Sequence, residues 1–175
     1  MKKAVIGMMI LALSIGISFA VKDSIYILRF DKGESFNDCS SGITTTLTKE
    51  HAKKKYGMKI VWEKGGWVGE MGGIRSVWEG YSKVSVHIFN PSDKEAEINF
   101  CIKGAKQEEP NAPSNTHFSL LKLPVGDSDH IIDLTTAMCS DGKSKLDYSR
   151  IYIWNFMNKK DEPLTIYVSE LQLLK

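Results

Sequence analysis

Catalytic machinery is the first thing this sequence lacks. It contains no Gly-x-Ser-x-Gly, no His-Glu-x-x-His and no glycine-rich phosphate loop. The histidines His51, His87, His117 and His130 are scattered, with no two at metal-ligand spacing. A glycosidase needs two carboxylates on either side of the scissile bond. The acid pairs Glu108-Glu109 and Asp161-Glu162 instead fall in loop-like stretches and read as solvated surface. These absences point away from an enzyme. A basic excess is missing too. Lys2 and Lys3 account for the whole formal net charge of +2. Nucleic acid is therefore not an expected partner, because binding it requires Lys and Arg in excess to displace counterions. The run Lys53–Lys55 reads as a solvated face.

Cysteine is scarce, and its count of three is odd. None of the spacings resembles a zinc site. Cys101 lies within a strand pattern, whereas Cys39 and Cys139 lie in loop-like stretches. They are the better candidate pair for one disulfide, with Cys101 as a buried thiol. Long apolar runs are absent apart from one, residues 4–19. It follows Lys2-Lys3 and ends in Ser18-Phe19-Ala20, the composition of a secretory signal peptide cut after Ala20. The run is at the short end for spanning a bilayer. The expectation is a signal at 1–20 and one domain at 21–175, secreted or periplasmic and not integral to the membrane after cleavage. A chain of that length buries a proper core without disulfide scaffolding.

What is present is strand pattern. Val84, Val86 and Ile88 alternate with Ser85, His87 and Phe89; Ile98, Phe100 and Ile102 alternate with Glu97, Asn99 and Cys101. With the Asn90-Pro91 turn between them, these two runs predict an antiparallel hairpin. Further runs fall at 24–30, 58–63, 117–123, 130–134, 151–156 and 164–173, separated by turn signals. Thr48 to Tyr56 is the best helical window and predicts one or two turns. Short strands without alternating helices predict an all-β antiparallel sandwich.

The order of motifs resembles the secreted carbohydrate-binding modules of the galactose-binding-domain-like jelly-roll type. Phe30-Asp31 matches an opening Phe-acid pair, and Glu50-His51-Ala52 through Ile60 matches a turn into a strand. Gly66-Trp67-Val68-Gly69 matches a Trp-containing connection. Trp78-Glu79-Gly80-Tyr81 to Asn90-Pro91, Leu123-Pro124-Val125-Gly126, Ile132-Asp133-Leu134 and Ile166-Tyr167-Val168 follow in the family's order. The resemblance implies a jelly-roll sandwich and a non-catalytic role in binding poly- or oligosaccharide. A structural or protein-binding module of the cell envelope, with an envelope protein as partner, is the alternative. No cofactor is expected. A structural calcium, which many such modules hold, would need hard oxygen ligands. Asp31, Glu34 and Glu170 remain as donors, but Arg29 and Ser169 stand where the family often has Asp.

If Val84, Ile98, Ile151 and Ile153 and their alternates face inward, the period of two puts Ser85, His87, Phe89, Glu97, Asn99, Tyr152, Trp154 and Phe156 outward. Sugar rings have apolar faces that stack on aromatics, while amides, acids and imidazole bond their hydroxyls. The candidate carbohydrate site is accordingly Trp67, His87, Glu97, Asn99, Tyr152 and Trp154. The alternative is that the faces run the other way and the aromatics are core. Trp67 sits among glycines, displayed at a binding edge or folded back as a lid. Trp62 and Trp78 read as core or corner residues.

Overall fold

The computed structural model describes residues 23–70, 78–104 and 111–175. The expected export signal lies outside them. Two antiparallel sheets pack face to face. In the first, β3 (Ile43–Thr48), β4 (Gly57–Trp62), β11 (Leu164–Leu174), β6 (Lys83–Asn90) and β9 (Gly126–Asp133) lie side by side, and β1 (Ser24–Tyr26) also pairs with β11. In the second, the order is β2 (Asp38–Cys39), β5 (Gly66–Glu70), β10 (Ile153–Asn158), β7 (Ala96–Lys103) and β8 (Thr116–Leu123). From β4 to β7, and again from β8 to β11, the chain changes sheet at every connection, the winding of a jelly roll. Among the described residues no helix is long and apolar enough to cross a membrane.

This winding corrects the expected hairpin. β6 and β7 are consecutive but lie in different sheets. Asn90, fully buried, closes the arch between them: its amide donates to the carbonyls of Lys94 and Leu123, both at 3.0 Å. Asn158 does the same between β10 and β11, donating to the Glu162 carbonyl at 3.0 Å and accepting the Lys160 N–H at 3.0 Å. The expected helical window also fails. Residues 49–56 form turns and bends, with His51 left-handed at φ 51°. β3 just before it holds four threonines, whose branched side chains favour a pleated strand.

The core lies between the sheets. Trp62, Trp78, Trp154, Phe100 and Phe156 are its largest buried side chains. Trp154 touches Phe36 edge-on at 6.0 Å between centroids and stacks on Phe100 at 5.9 Å. The outward position expected for Trp154 and Phe156 is therefore reversed. Register supplies the reason. Trp154 lies opposite Ile102 and Phe156 opposite Phe100, and directly paired residues point to the same side. Because Ile102 and Phe100 face inward, their partners must too.

Cys39 and Cys139 are not bridged. Cys39 is on β2, one edge of the second sheet, while Cys139 is next to Ser140, whose N–H bonds the Thr116 carbonyl at the opposite edge. Four strand spacings, about 19 Å, separate those edges, far beyond the Cα separation of about 7 Å that a disulfide tolerates.

The loop after Cys139 carries an acid-labile element. Asp141 accepts hydrogen bonds from the Ser144 hydroxyl and from the N–H groups of Lys143 and Ser144. Led by the Ser144 hydroxyl, these hold its pKa down at about 2. Thr135 lowers Asp133 in the same way. A folded pKa below the unfolded value means a contribution complete above about pH 4 and lost as pH falls towards the folded value. The melting temperature should hold steady above about pH 5 and fall between about pH 4 and pH 2. Asp141→Asn should flatten that fall in a pH series of thermal melts.

Candidate carbohydrate-binding face

With Trp154 and Phe156 inward, the period of two turns Ile153, Asn155 and Met157 to the outer face of the second sheet. Register builds the rest. Met157 lies between Trp67 on β5 and Asn99 on β7, and Asn99 faces Leu120 on β8. One row across the sheet is thus Trp67, Met157, Asn99, Leu120. The next is Gly69, Asn155, Cys101, Phe118. The first row offers large side chains: Trp67 and Met157 are half-buried and Leu120 is 54% exposed. The second has a low floor of Gly69, Asn155 and Cys101, with Phe118 at its end.

Several features fix this surface. Trp67 is on a strand rather than in a display loop. Ser40 holds its backbone from the neighbouring β2 side, the Trp67 N–H donating to Ser40 Oγ at 3.0 Å and the Ser40 N–H donating to the Trp67 carbonyl at 3.0 Å. Gly69 lets β5 approach β10 closely. A Cβ there would stand 2.7 Å from Asn155 Cβ and nearer still to the Trp154 carbonyl oxygen. Gly69→Ala should force the strands apart and cost about 1–3 kcal/mol, read as a lower urea midpoint with unchanged m-value. Asn155 is 3% exposed, and its Oδ1 has no hydrogen-bond partner. A buried acceptor left unmatched costs about 1–3 kcal/mol, and this one lies beneath the surface, closed to solvent. Burial pushes the Cys101 thiol up to about 11, with Lys103 and Lys159 pulling the other way. It is a neutral, unreactive floor group at neutral pH.

The residues expected for the site divide. Trp67, Glu97 and Asn99 share this outer face. Trp154 is core, 1% exposed. Tyr152 precedes β10, half-buried, its N–H donated to the Lys103 carbonyl at 2.9 Å. His87 is on β6 in the opposite sheet and 4% exposed. Its Nδ1 lies 2.8 Å from Asp129 and its Nε2 3.0 Å from Asp127. Its separation from Asn99 follows from the arch at Asn90, which sends β6 and β7 into different sheets. Phe118, Asn155 and Met157 were not anticipated. The signal for the last two was register: pairing β10 with β7 through Phe100 would have turned them outward.

The three candidate metal donors are not gathered. Arg29 binds Asp31 through its guanidinium at 3.2 Å, and its backbone N–H donates to Glu34 at 2.6 Å. Glu170 faces Lys54 at 3.7 Å and the Tyr26 hydroxyl at 3.5 Å. Among the described residues no three His, Cys, Asp or Glu side chains form a metal-holding group. Cationic side chains occupy the surroundings of Asp31 and Glu170.

No protein-family model matches the chain, and no curated protein matches its sequence. Solved structures do. The family 11 carbohydrate-binding module of a cellulosomal cellulase of Clostridium thermocellum superposes with a TM-score of 0.65 at 14% identity, over 86% of this chain and 94% of that one. The Clostridium thermocellum family 11 module in complex with a β-1,3-1,4-mixed-linked tetrasaccharide gives 0.56 at 15% identity, over 78% and 86%. An agarase gives 0.60 at 12% identity, over 88% of this chain but 25% of the agarase. The fold is that of the jelly-roll carbohydrate-binding modules.

Proposed function

We propose that the protein is a secreted, non-catalytic carbohydrate-binding protein that holds a poly- or oligosaccharide across the outer face of its second sheet. The observation that carries this reading is the row of Trp67, Met157, Asn99 and Leu120 running across four strands of the outer face, half-buried to exposed, with Phe118 beside it. Sugar hydroxyls bond the Asn99 amide while pyranose faces lie on the aromatic and thioether groups. A saccharide lying across the strands meets β5, β10, β7 and β8 in turn.

The carboxylates support binding rather than hydrolysis. On the described part of the sheet face they are Asp38 on β2 and Glu97 on β7, three strand spacings apart across the sheet and four residues apart along it, roughly 20 Å. A glycosidase pair sits about 5–9.5 Å apart. Glu97 is moreover engaged by Lys160 at 3.7 Å. The test is retention on immobilised glycans, including the mixed-linked β-glucan suggested by the family 11 module and insoluble cellulose and xylan. Retention without release of shorter sugars is the expected result. Release of reducing ends would contradict the non-catalytic reading, and no retention on any glycan would contradict binding.

A further inference from the structure

The lysines of the same face carry an inference about its ligand, one that rests on the reading just proposed. Among the described residues, the outer side of the second sheet holds Lys103 and Lys122 against Asp38 and Glu97, and the β10–β11 loop at its border adds Lys159 and Lys160 with Asp161 and Glu162. Glu97 is accounted for locally, with Lys160 at 3.7 Å and Lys122 opposite it in register. Asp38 lies on the far edge strand, its Oδ1 accepting the Cys39 N–H at 2.9 Å. Lys103 and Lys159 have no carboxylate partner among the described residues.

Both border the floor. The Lys159 ammonium lies 4.3 Å from the centre of the Phe118 ring, at the end of the row holding Asn155 and Cys101. Lys103 neighbours Thr116 and Ile153 in register, one row beyond Cys101. Its ammonium donates to the neutral Asn111 side chain. Both charges act on the Cys101 thiol between them. An exposed cation–π contact is worth only about 0.5–1 kcal/mol, so it leaves the Lys159 ammonium available to an anion. Two ammoniums with no carboxylate partner among the described residues, over an apolar and amide floor, match a saccharide with charges along its length.

We infer that the preferred ligand is an anionic polysaccharide, its carboxylate or sulfate groups paired with Lys103 and Lys159 while its rings rest on Trp67, Met157 and Phe118. A neutral glucan would use the same floor and leave both ammoniums unanswered.

The experiment is calorimetric titration of the full-length protein and of Lys103→Met, Lys159→Met and Trp67→Ala. The probes are polygalacturonate oligomers, sulfated galactan oligomers and neutral mixed-linked β-glucan oligomers, at about 0.05 and 0.5 M salt. The expected result is tighter binding of an anionic probe, weakened by salt and by about threefold in each lysine variant. Preference for polygalacturonate would assign the anion as carboxylate, and preference for the galactan as sulfate. Neutral glucan bound at least as tightly, with no response to salt or to the lysine variants but loss in Trp67→Ala, would overturn the inference and leave the carbohydrate-binding role standing. No binding of any probe would overturn both.

Discussion

Replacing Trp154 with alanine is expected to cost the domain about 3–5 kcal/mol of stability. For a domain of this size that is a fall in melting temperature of roughly 6–20 °C. The indole is 1% exposed and packed among Phe36, Phe100 and Phe156, so its removal leaves a cavity between the sheets. Its Nε1 has no hydrogen-bond partner. Trp154→Phe should therefore be far milder, because it keeps most of the ring volume and removes the unmatched donor. Thermal melts of the two variants beside the parent decide this. An unchanged melting temperature in Trp154→Ala would place the ring on the surface and turn β10 over, taking Asn155 and Met157 inside with it.

Trp67→Ala is expected to act in the opposite domain of effects. It should weaken glycan binding by about 1–3 kcal/mol, roughly five- to 150-fold in Kd. The ring is half-buried and outside the core cluster, and the backbone bonds to Ser40 do not depend on its side chain. Stability should change by less than about 1 kcal/mol. Titration and melting of one protein sample separate binding from folding. Undiminished affinity for a glycan that the parent binds would remove Trp67 from the platform.

The two tryptophans show where sequence reasoning reaches and where it stops. Val84, Val86 and Ile88 alternate cleanly with polar neighbours, as do Ile98, Phe100 and Ile102, so their inward face was legible from period alone. β10 was not legible. Ile151, Trp154 and Phe156 all belong to the core although they are not on one alternation, because regular pairing with β7 begins at Lys103 opposite Ile153. Counting the period from Ile151 therefore inverted the strand. His87 was misplaced for a different reason. Alternation says which side of its own strand a residue occupies, but not which sheet the strand joins. The buried Asn90 that sends β6 and β7 apart looks in sequence like an ordinary Asn-Pro turn. Trp67 and Asn99 do share a face, but they lie on β5 and β7, which do not pair, and meet only through Met157 on β10, which supplies no motif. The Cys39–Cys139 pairing failed likewise, because loop character carries no information about which sheet edge a loop borders.

The central claim is that one sheet face, built on Trp67, Asn99, Phe118, Asn155 and Met157, receives the saccharide. Backbone and side-chain amide NMR spectra, recorded while the best-retained glycan is titrated in, test it most directly. The largest shifts should fall on those five residues, with Trp67 and the Asn99 side-chain amide among the strongest, while His87, Asp127 and Asp129 on the opposite sheet stay still. Shifts centred on that opposite sheet, with Asn99 and Trp67 unmoved, would contradict it.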